Sequence, residues 1–126
     1  MTRINLIPPS ELHRKHLQAE YYELPEIFRL VKNRQEKGQT PATCNIPSTY
    51  RFGSGHKIFF YDKLAFLFSR HQALVNEMHA RGYKATILTI PKGLKLYWFG
   101  HWEPSPEEIN LSRQRIQQRV KELGLT

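Results

Sequence analysis

The sequence predicts an all-α fold, a single compact domain of three main helices joined by long loops. Three observations carry that prediction. Apolar residues recur at helical steps in three separate segments. Residues that start and stop helices flank those segments. The intervening stretches are rich in Pro, Gly, Ser and Thr, the residues that turn a chain. At 126 residues the chain is well below the roughly 250 residues at which single cores divide, so residues 1–126 read as one domain. No internal repeat or low-complexity tract is present.

The first helix opens at Ser10, an N-cap residue placed just after Pro8-Pro9. Leu17, Tyr21, Leu24, Phe28 and Val31 then recur at alternating steps of four and three and face the core. Pro25 falls inside this pattern, removes a backbone donor, and places a bend beside Glu23. Gly38 is the stop. Residues 39–56 contain Pro41, Pro47, Gly53 and Gly55 and form a surface loop packed by Ile46, Tyr50 and Phe52. Loops of that length are often functional.

The second helix begins between His56 and Phe60, carries Phe60, Leu64, Leu67, Leu74 and Met78 on one face, and ends at Gly82. It is the expected centre of the core. Between Tyr83 and Trp102 the pattern changes: Ala85 to Ile90 and Leu94 to Phe99 read as two short strands around Pro91-Lys92-Gly93, a small hairpin. The third helix starts near Ser105 or Pro106, with Glu107 and Glu108 in its first turn and Ile109, Ile116, Val120 and Leu123 facing inward. Arg115 and Arg119, four apart, share its other face, and Arg113 and Lys121 widen the charge.

With 40% hydrophobic and 12% aromatic residues the chain can build a core that a disordered chain lacks. Nineteen Lys and Arg against eleven Asp and Glu give a net +8, which favours a polyanionic partner, nucleic acid above all. No apolar run approaches the about 20 residues needed to span a bilayer. The opening Met1 to Pro9 lacks the apolar core of a secretion signal, so a cytoplasmic monomer without a membrane partner is expected. The single cysteine, Cys44, has no partner for an internal disulfide.

Common catalytic signatures are missing. There is no HExxH, paired CxxC or calcium loop; His13 and His16 lack a third ligand; Gly53-Ser54-Gly55 is a turn and too short for a phosphate loop. No nucleophile elbow supports a serine triad. The chain terminus remains: a small residue after the initiator Met lets processing expose Thr2, whose α-amine, with a pKa of about 7.7 to 8.0, is partly neutral at physiological pH and attacks carbonyl-like carbon. His16 and Glu23 lie one heptad apart on the first helix, with Glu20 one turn before Glu23. Pattern alone reads these as solvated helix charges.

Three stretches end that anonymity: Thr2-Arg3-Ile4-Asn5-Leu6, then His16-Leu17-Gln18-Ala19-Glu20-Tyr21-Tyr22-Glu23-Leu24-Pro25, then Gly53-Ser54-Gly55-His56-Lys57-Ile58-Phe59-Phe60-Tyr61-Asp62-Lys63-Leu64. Together, in this order and spacing, they resemble the phage-type pyrimidine-dimer DNA glycosylases, the ultraviolet-repair endonuclease V family, and the likeness runs with gaps over nearly the whole chain. The resemblance implies a compact helical enzyme, both DNA N-glycosylase and abasic-site lyase, that needs no metal or other cofactor and acts on double-stranded damaged DNA. It implies Thr2 as the nucleophile that forms a Schiff base at C1′, and Glu23 as the acidic group assisting it. Arg3, His16, Tyr21, Tyr22, Arg115 and Arg119 are the implied DNA contacts.

This chain also departs from the family. Where the family usually reads Tyr-Arg-Glu-Leu-Pro-Arg, the sequence here is Tyr21-Tyr22-Glu23-Leu24-Pro25-Glu26. Two cations beside the implied catalytic Glu are therefore replaced, and the C-terminus, Leu123-Gly124-Leu125-Thr126, lacks the family's aromatic tail. Arg14, Lys15 and Arg29 are cations on neighbouring turns, and Tyr97, Trp98, Phe99 and Trp102 are candidates for stacking or for the core. Two other readings stay open: the same chemistry on another damaged base or on abasic DNA alone, and a DNA-binding protein without catalysis.

Overall fold

The computed structural model describes residues 3–125. It is helical, as the sequence predicts. Five α-helical segments follow in order: α1 (Arg14–Glu23), α2 (Pro25–Glu36), α3 (His56–Phe59), α4 (Leu64–Ala80) and α5 (Pro106–Glu122), with 3-10 turns at Pro9–Glu11 and Leu96–Trp98. The central element is α4, which buries Leu64, Leu67, Leu74, Val75 and Met78 together with Arg70 and His71. It packs against α1 and the first 3-10 turn, and α1 in turn meets α2.

The predicted first helix is divided and starts later. Ser10 belongs to the 3-10 turn Pro9–Glu11, which ends where Leu12 becomes extended and buries its side chain. His13 is the actual cap, its Nδ1 accepting from Lys15 N at 3.1 Å. Pro25 does more than bend the helix: it is the first residue of α2, where a missing N–H leaves no intrahelical bond unmade. Leu24 between the two stays in the right-handed helical region, so Glu23 sits at the joint.

The second segment is also split. After the single turn of α3 the chain breaks from helix at Phe60 to Lys63 before α4 begins. Phe59, Phe60 and Tyr61 are all buried, and three consecutive residues cannot share one face of a continuous helix. The break lets all three point inward. Phe59 and Phe60 join Tyr50, Phe66 and Trp102 in an aromatic cluster with ring centroids 5.0 to 6.1 Å apart, while the Tyr61 ring lies 5.7 Å from the Arg34 guanidinium.

The hairpin expected over Ala85 to Phe99 does not form; among the described residues there is one isolated bridge, Lys63 with Phe99. Side chains from the helices take the backbone groups that a hairpin would have paired. Tyr21 Oη accepts from Thr86 N at 2.9 Å, and His71 Nδ1 accepts from Leu88 N at 3.2 Å. Gln35 receives Lys95 N at 2.9 Å and Trp98 Nε1 at 3.0 Å while donating to Gly93 O at 2.8 Å. Trp98 is fully buried, and Leu96 and Tyr97 beside it are exposed.

Helix α5 begins as read, with Ser105 and Glu108 forming a reciprocal capping box. Ile116 and Ser112 face inward, whereas Leu123, expected on the inner face, lies past the helix end and is 40% exposed. No helix among the described residues is long and apolar enough to cross a membrane.

Gly100 fixes where the chain re-enters the core. Its N–H donates to Asp62 O at 3.0 Å, and a Cβ at this position would collide with that same carbonyl, a backbone atom that cannot swing aside. Gly100→Ala is therefore expected to destabilise the protein by about 2 to 4 kcal/mol, in the range of overpacked core positions. Urea denaturation at neutral pH measures this, and a midpoint equal to that of the unchanged protein would contradict the close approach.

Candidate active site

Residues Ile4 to Ile7 are buried without regular secondary structure, and no strand lies beside them among the described residues. Buried peptide groups need partners, and here side chains from four different regions provide them. Ile4 N donates to His56 Nε2 at 2.8 Å, and Ile4 O accepts from Tyr50 Oη at 3.1 Å. Leu6 N donates to Ser112 Oγ at 2.9 Å, and Ile7 O accepts from Arg70 Nη1 at 2.6 Å. The N-terminal segment is clamped by the 39–56 loop, α3, α4 and α5 at once.

Beneath it lies a buried ion pair. Arg70 reaches Glu20 through Nε to Oε2 at 2.7 Å and Nη2 to Oε1 at 2.9 Å, and Asn5 Nδ2 donates to Glu20 Oε1 at 2.9 Å. Both charges are more than nine-tenths enclosed. Glu20, a solvated helix charge by pattern, is thus a structural anchor for α1, α4 and the N-terminal segment. Burial pushes the Tyr50 phenol up to about 12, so it remains a donor to Ile4 O.

Above this floor opens a cleft of about 490 Å³, lined by Arg3, Asn5, Lys15, His16, Glu20, Glu23, Arg115 and Arg119 among others. Three elements converge there: the segment after Thr2, one face of α1, and the basic face of α5. Glu23 lies at the mouth where α1 ends. The cations crowd one another: burial, then Arg115 and Arg119, pull the Arg3 guanidinium below its ordinary value. Burial and the positive neighbours His13, Arg119, Lys15 and Arg3 hold the His16 imidazole below its usual 6.5, so it is neutral near pH 7. His16 Nδ1 and Arg115 Nε are enclosed without a hydrogen-bond partner among the described residues.

Of the residues the sequence nominates, the structure brings together Arg3, His16, Glu23, Arg115 and Arg119. Thr2 lies outside the described residues; its neighbour in sequence, Arg3, lines the cleft. Tyr21 is placed elsewhere, stacked on His71 at 5.2 Å with its hydroxyl bound to Thr86. Tyr22 stands 72% exposed beside Glu23. Arg113 pairs with Glu11 at 3.0 and 3.1 Å and ties α5 to the first 3-10 turn. Glu26 pairs with Lys57 at 3.2 Å. Pattern reading missed Asn5, His56, Arg70 and Ser112; Arg70, on the apolar stripe of α4, and Ser112, between Ile109 and Ile116 on the inner face of α5, each carried a signal.

The family of pyrimidine dimer DNA glycosylases matches residues 1–90. That span holds the clamped segment and α1 through α4; α5, with Arg115 and Arg119, follows it.

Burial also pulls His56 and His71 below the ordinary 6.5. The unfolded chain therefore takes up protons that the native state refuses, and stability falls as pH drops from about 6.5 towards the native values. Melting temperature should be level above about pH 7 and decline on acidification through about pH 6 to 5. An unchanged melting temperature across that window would contradict the neutral, buried state of these imidazoles.

Proposed function

The chain belongs to the pyrimidine dimer DNA glycosylase family, and we propose that it is a bifunctional enzyme that excises a damaged pyrimidine from duplex DNA and then cleaves the strand. The observation that carries this reading is the cleft itself: a carboxylate, Glu23, lines the same cavity as Arg3, the residue after Thr2, together with Lys15, Arg115 and Arg119.

The cations meet the phosphates on either side of the lesion, and releasing their counterions favours association. The neutral amine of Thr2, exposed by removal of Met1, attacks C1′ of the damaged nucleotide. The C1′–N bond breaks and its electron pair leaves with the base. Ring opening then gives a protonated Schiff base between Thr2 N and C1′. Glu23 sits where a carboxylate stabilises the oxocarbenium-like and iminium charge, an interaction strongest where water is excluded. Loss of a proton from C2′ expels the phosphate from C3′, leaving an unsaturated Schiff base on one side, which becomes the free aldehyde only on hydrolysis, and a 5′-phosphate on the other. Hydrolysis of the Schiff base frees the amine.

The cyclobutane pyrimidine dimer is the substrate the family description supports. Pairing is already weakened there, so extruding a nucleotide costs least. A second reading, the same chemistry on another damaged base or on abasic DNA, is favoured by one observation: Tyr22, exposed beside Glu23, occupies a place where a family cation is absent.

Borohydride trapping tests the chemistry. Processed protein with a free Thr2 should become covalently linked, through Thr2, to ultraviolet-irradiated and to abasic duplexes. Trapping on abasic DNA alone selects the second reading; no adduct on either leaves a non-catalytic DNA binder. Glu23→Gln should lower strand cleavage by at least about a hundredfold while DNA affinity changes little. Cleavage at the original rate would remove Glu23 from the mechanism.

The clustered cations make a separate prediction. Arg115→Ala and Arg119→Ala should each weaken binding to any duplex and reduce the slope of log affinity against log salt by about 0.9. Titrations at several salt concentrations measure this, and an unaltered slope in both variants would place the α5 arginines away from the phosphates.

A further inference from the structure

We propose that His56 is a positioning residue: by accepting the Ile4 N–H at its Nε2, it fixes the start of the buried segment, two residues along the chain from the amine-bearing Thr2. The inference rests on the amine chemistry proposed above and adds a residue that does not touch the substrate. Three observations support it.

The tautomer is determined by the bonds. Nε2 accepts from Ile4 N at 2.8 Å, so it carries no proton, and Nδ1, 2.8 Å from Arg51 O, is the protonated nitrogen that donates. One ring therefore links the 39–56 loop to the N-terminal segment, and only its neutral form makes both bonds. The ring is also rigidly held. It is 3% exposed, lies edge-on to Tyr50 and Phe60, and stacks on Phe52. A residue with that packing cannot follow the backbone if the bond breaks.

The bond's location gives it leverage. Ile4 N is one residue past Arg3 and two past Thr2, whereas the other side-chain anchors, at Ile4 O, Leu6 N and Ile7 O, all lie further along the chain. Losing it lets the segment pivot about the Tyr50 contact. Displacements of about 1 Å at a reacting atom can cost on the order of a hundredfold in rate. The charged groups facing the ring are Arg3 and Glu20, on the N-terminal segment and α1; burial and Arg3 favour the neutral imidazole, while the Arg51 carbonyl and Glu20 favour the cation. The balance leaves it neutral where the amine is nucleophilic.

Two amide variants divide the two bonds. In His56→Gln the amide reaches the place of Nε2 and offers its oxygen to Ile4 N–H; in His56→Asn it reaches the place of Nδ1 and keeps only the Arg51 contact. His56→Asn should lower the single-turnover trapping rate on abasic duplex on the order of tenfold to a hundredfold, with duplex affinity within about twofold, and His56→Gln should recover most of that loss. Equal rates for the two variants, or parallel losses in rate and affinity, would overturn the proposal. Amide hydrogen exchange at Ile4 reads the clamp without any chemistry: it should quicken in His56→Asn relative to His56→Gln, and equal protection would sink the clamp. Should the unaltered protein trap no DNA, the amine mechanism fails, and the exchange comparison still decides whether His56 holds the segment.

Discussion

Everything at the cleft depends on one constraint: an extended chain end has been driven through the core, and each buried peptide group must find a partner there. A sheet would supply those partners from a neighbouring backbone. This helical protein has none beside the segment, so His56, Tyr50, Ser112 and Arg70 do the work from separate elements. An unpaired buried amide or carbonyl costs about 1 to 3 kcal/mol, so the four contacts hold Ile4 to Ile7 in one place. Chain ends are ordinarily among the least ordered parts of a domain. Here the terminal segment is held by the residues that also hold the helices together.

The Glu20–Arg70 pair shows why that arrangement is specific rather than simply stable. A buried ion pair gains little over a well-packed apolar pair of equal size, because removing two charges from water offsets their attraction. Breaking one half, however, strands a charge and costs roughly 3 to 5 kcal/mol. With Asn5 on one oxygen and the Ile7 carbonyl on the guanidinium, the pair tolerates only one register of the N-terminal segment against α1 and α4. A slip by one residue would turn Asn5 away and bring an apolar side chain onto the carboxylate. The pair thus specifies the position of the segment that lines the cleft.

Much of this architecture was legible beforehand. Apolar spacing located the helices because burial sets the period, and the Ser105–Glu108 capping box could be read directly from residue type and spacing. The failures have physical reasons. Pro25 looked like a bend and proved to be a helix start, since proline is tolerated at the first position of a helix. Ala85 to Phe99 has strand-like residues, but Tyr21, Gln35 and His71 outcompete the hairpin for its backbone groups. Arg70 and His71 stand between Leu67 and Leu74 on the stripe of α4, so their burial could have been inferred. Glu20, three residues after Leu17, carried the same signal. Ser112, between Ile109 and Ile116 on α5, carried it too, whereas His56 carried none, because a lone polar residue reveals its partner only in three dimensions. At the candidate site, spacing suggested that Glu23 and His16 could share a cleft; the convergence of Arg3 and the α5 arginines needed the fold.

The cleft combines repulsion with enclosure, and that combination bears on how a polyanion would be used. Burial and the neighbouring Arg115 and Arg119 lower the affinity of Arg3 for its proton, and His16 is kept neutral beside them. Like charges held together by a rigid frame store unfavourable energy in the free protein, and a phosphate entering among them relieves it. The frame matters because flexible cations would simply spread apart. Glu26, which in pattern looked like a charge reversal at the edge of the site, is paired with Lys57 and so contributes little net negative potential there. Tyr22 has no such counterpart and is 72% exposed beside Glu23. The clustered cations therefore supply attraction to a polyanion whatever its sequence, while Tyr22, packed edge-on against Tyr21 at 4.8 Å, lies outside the residues that line the cleft.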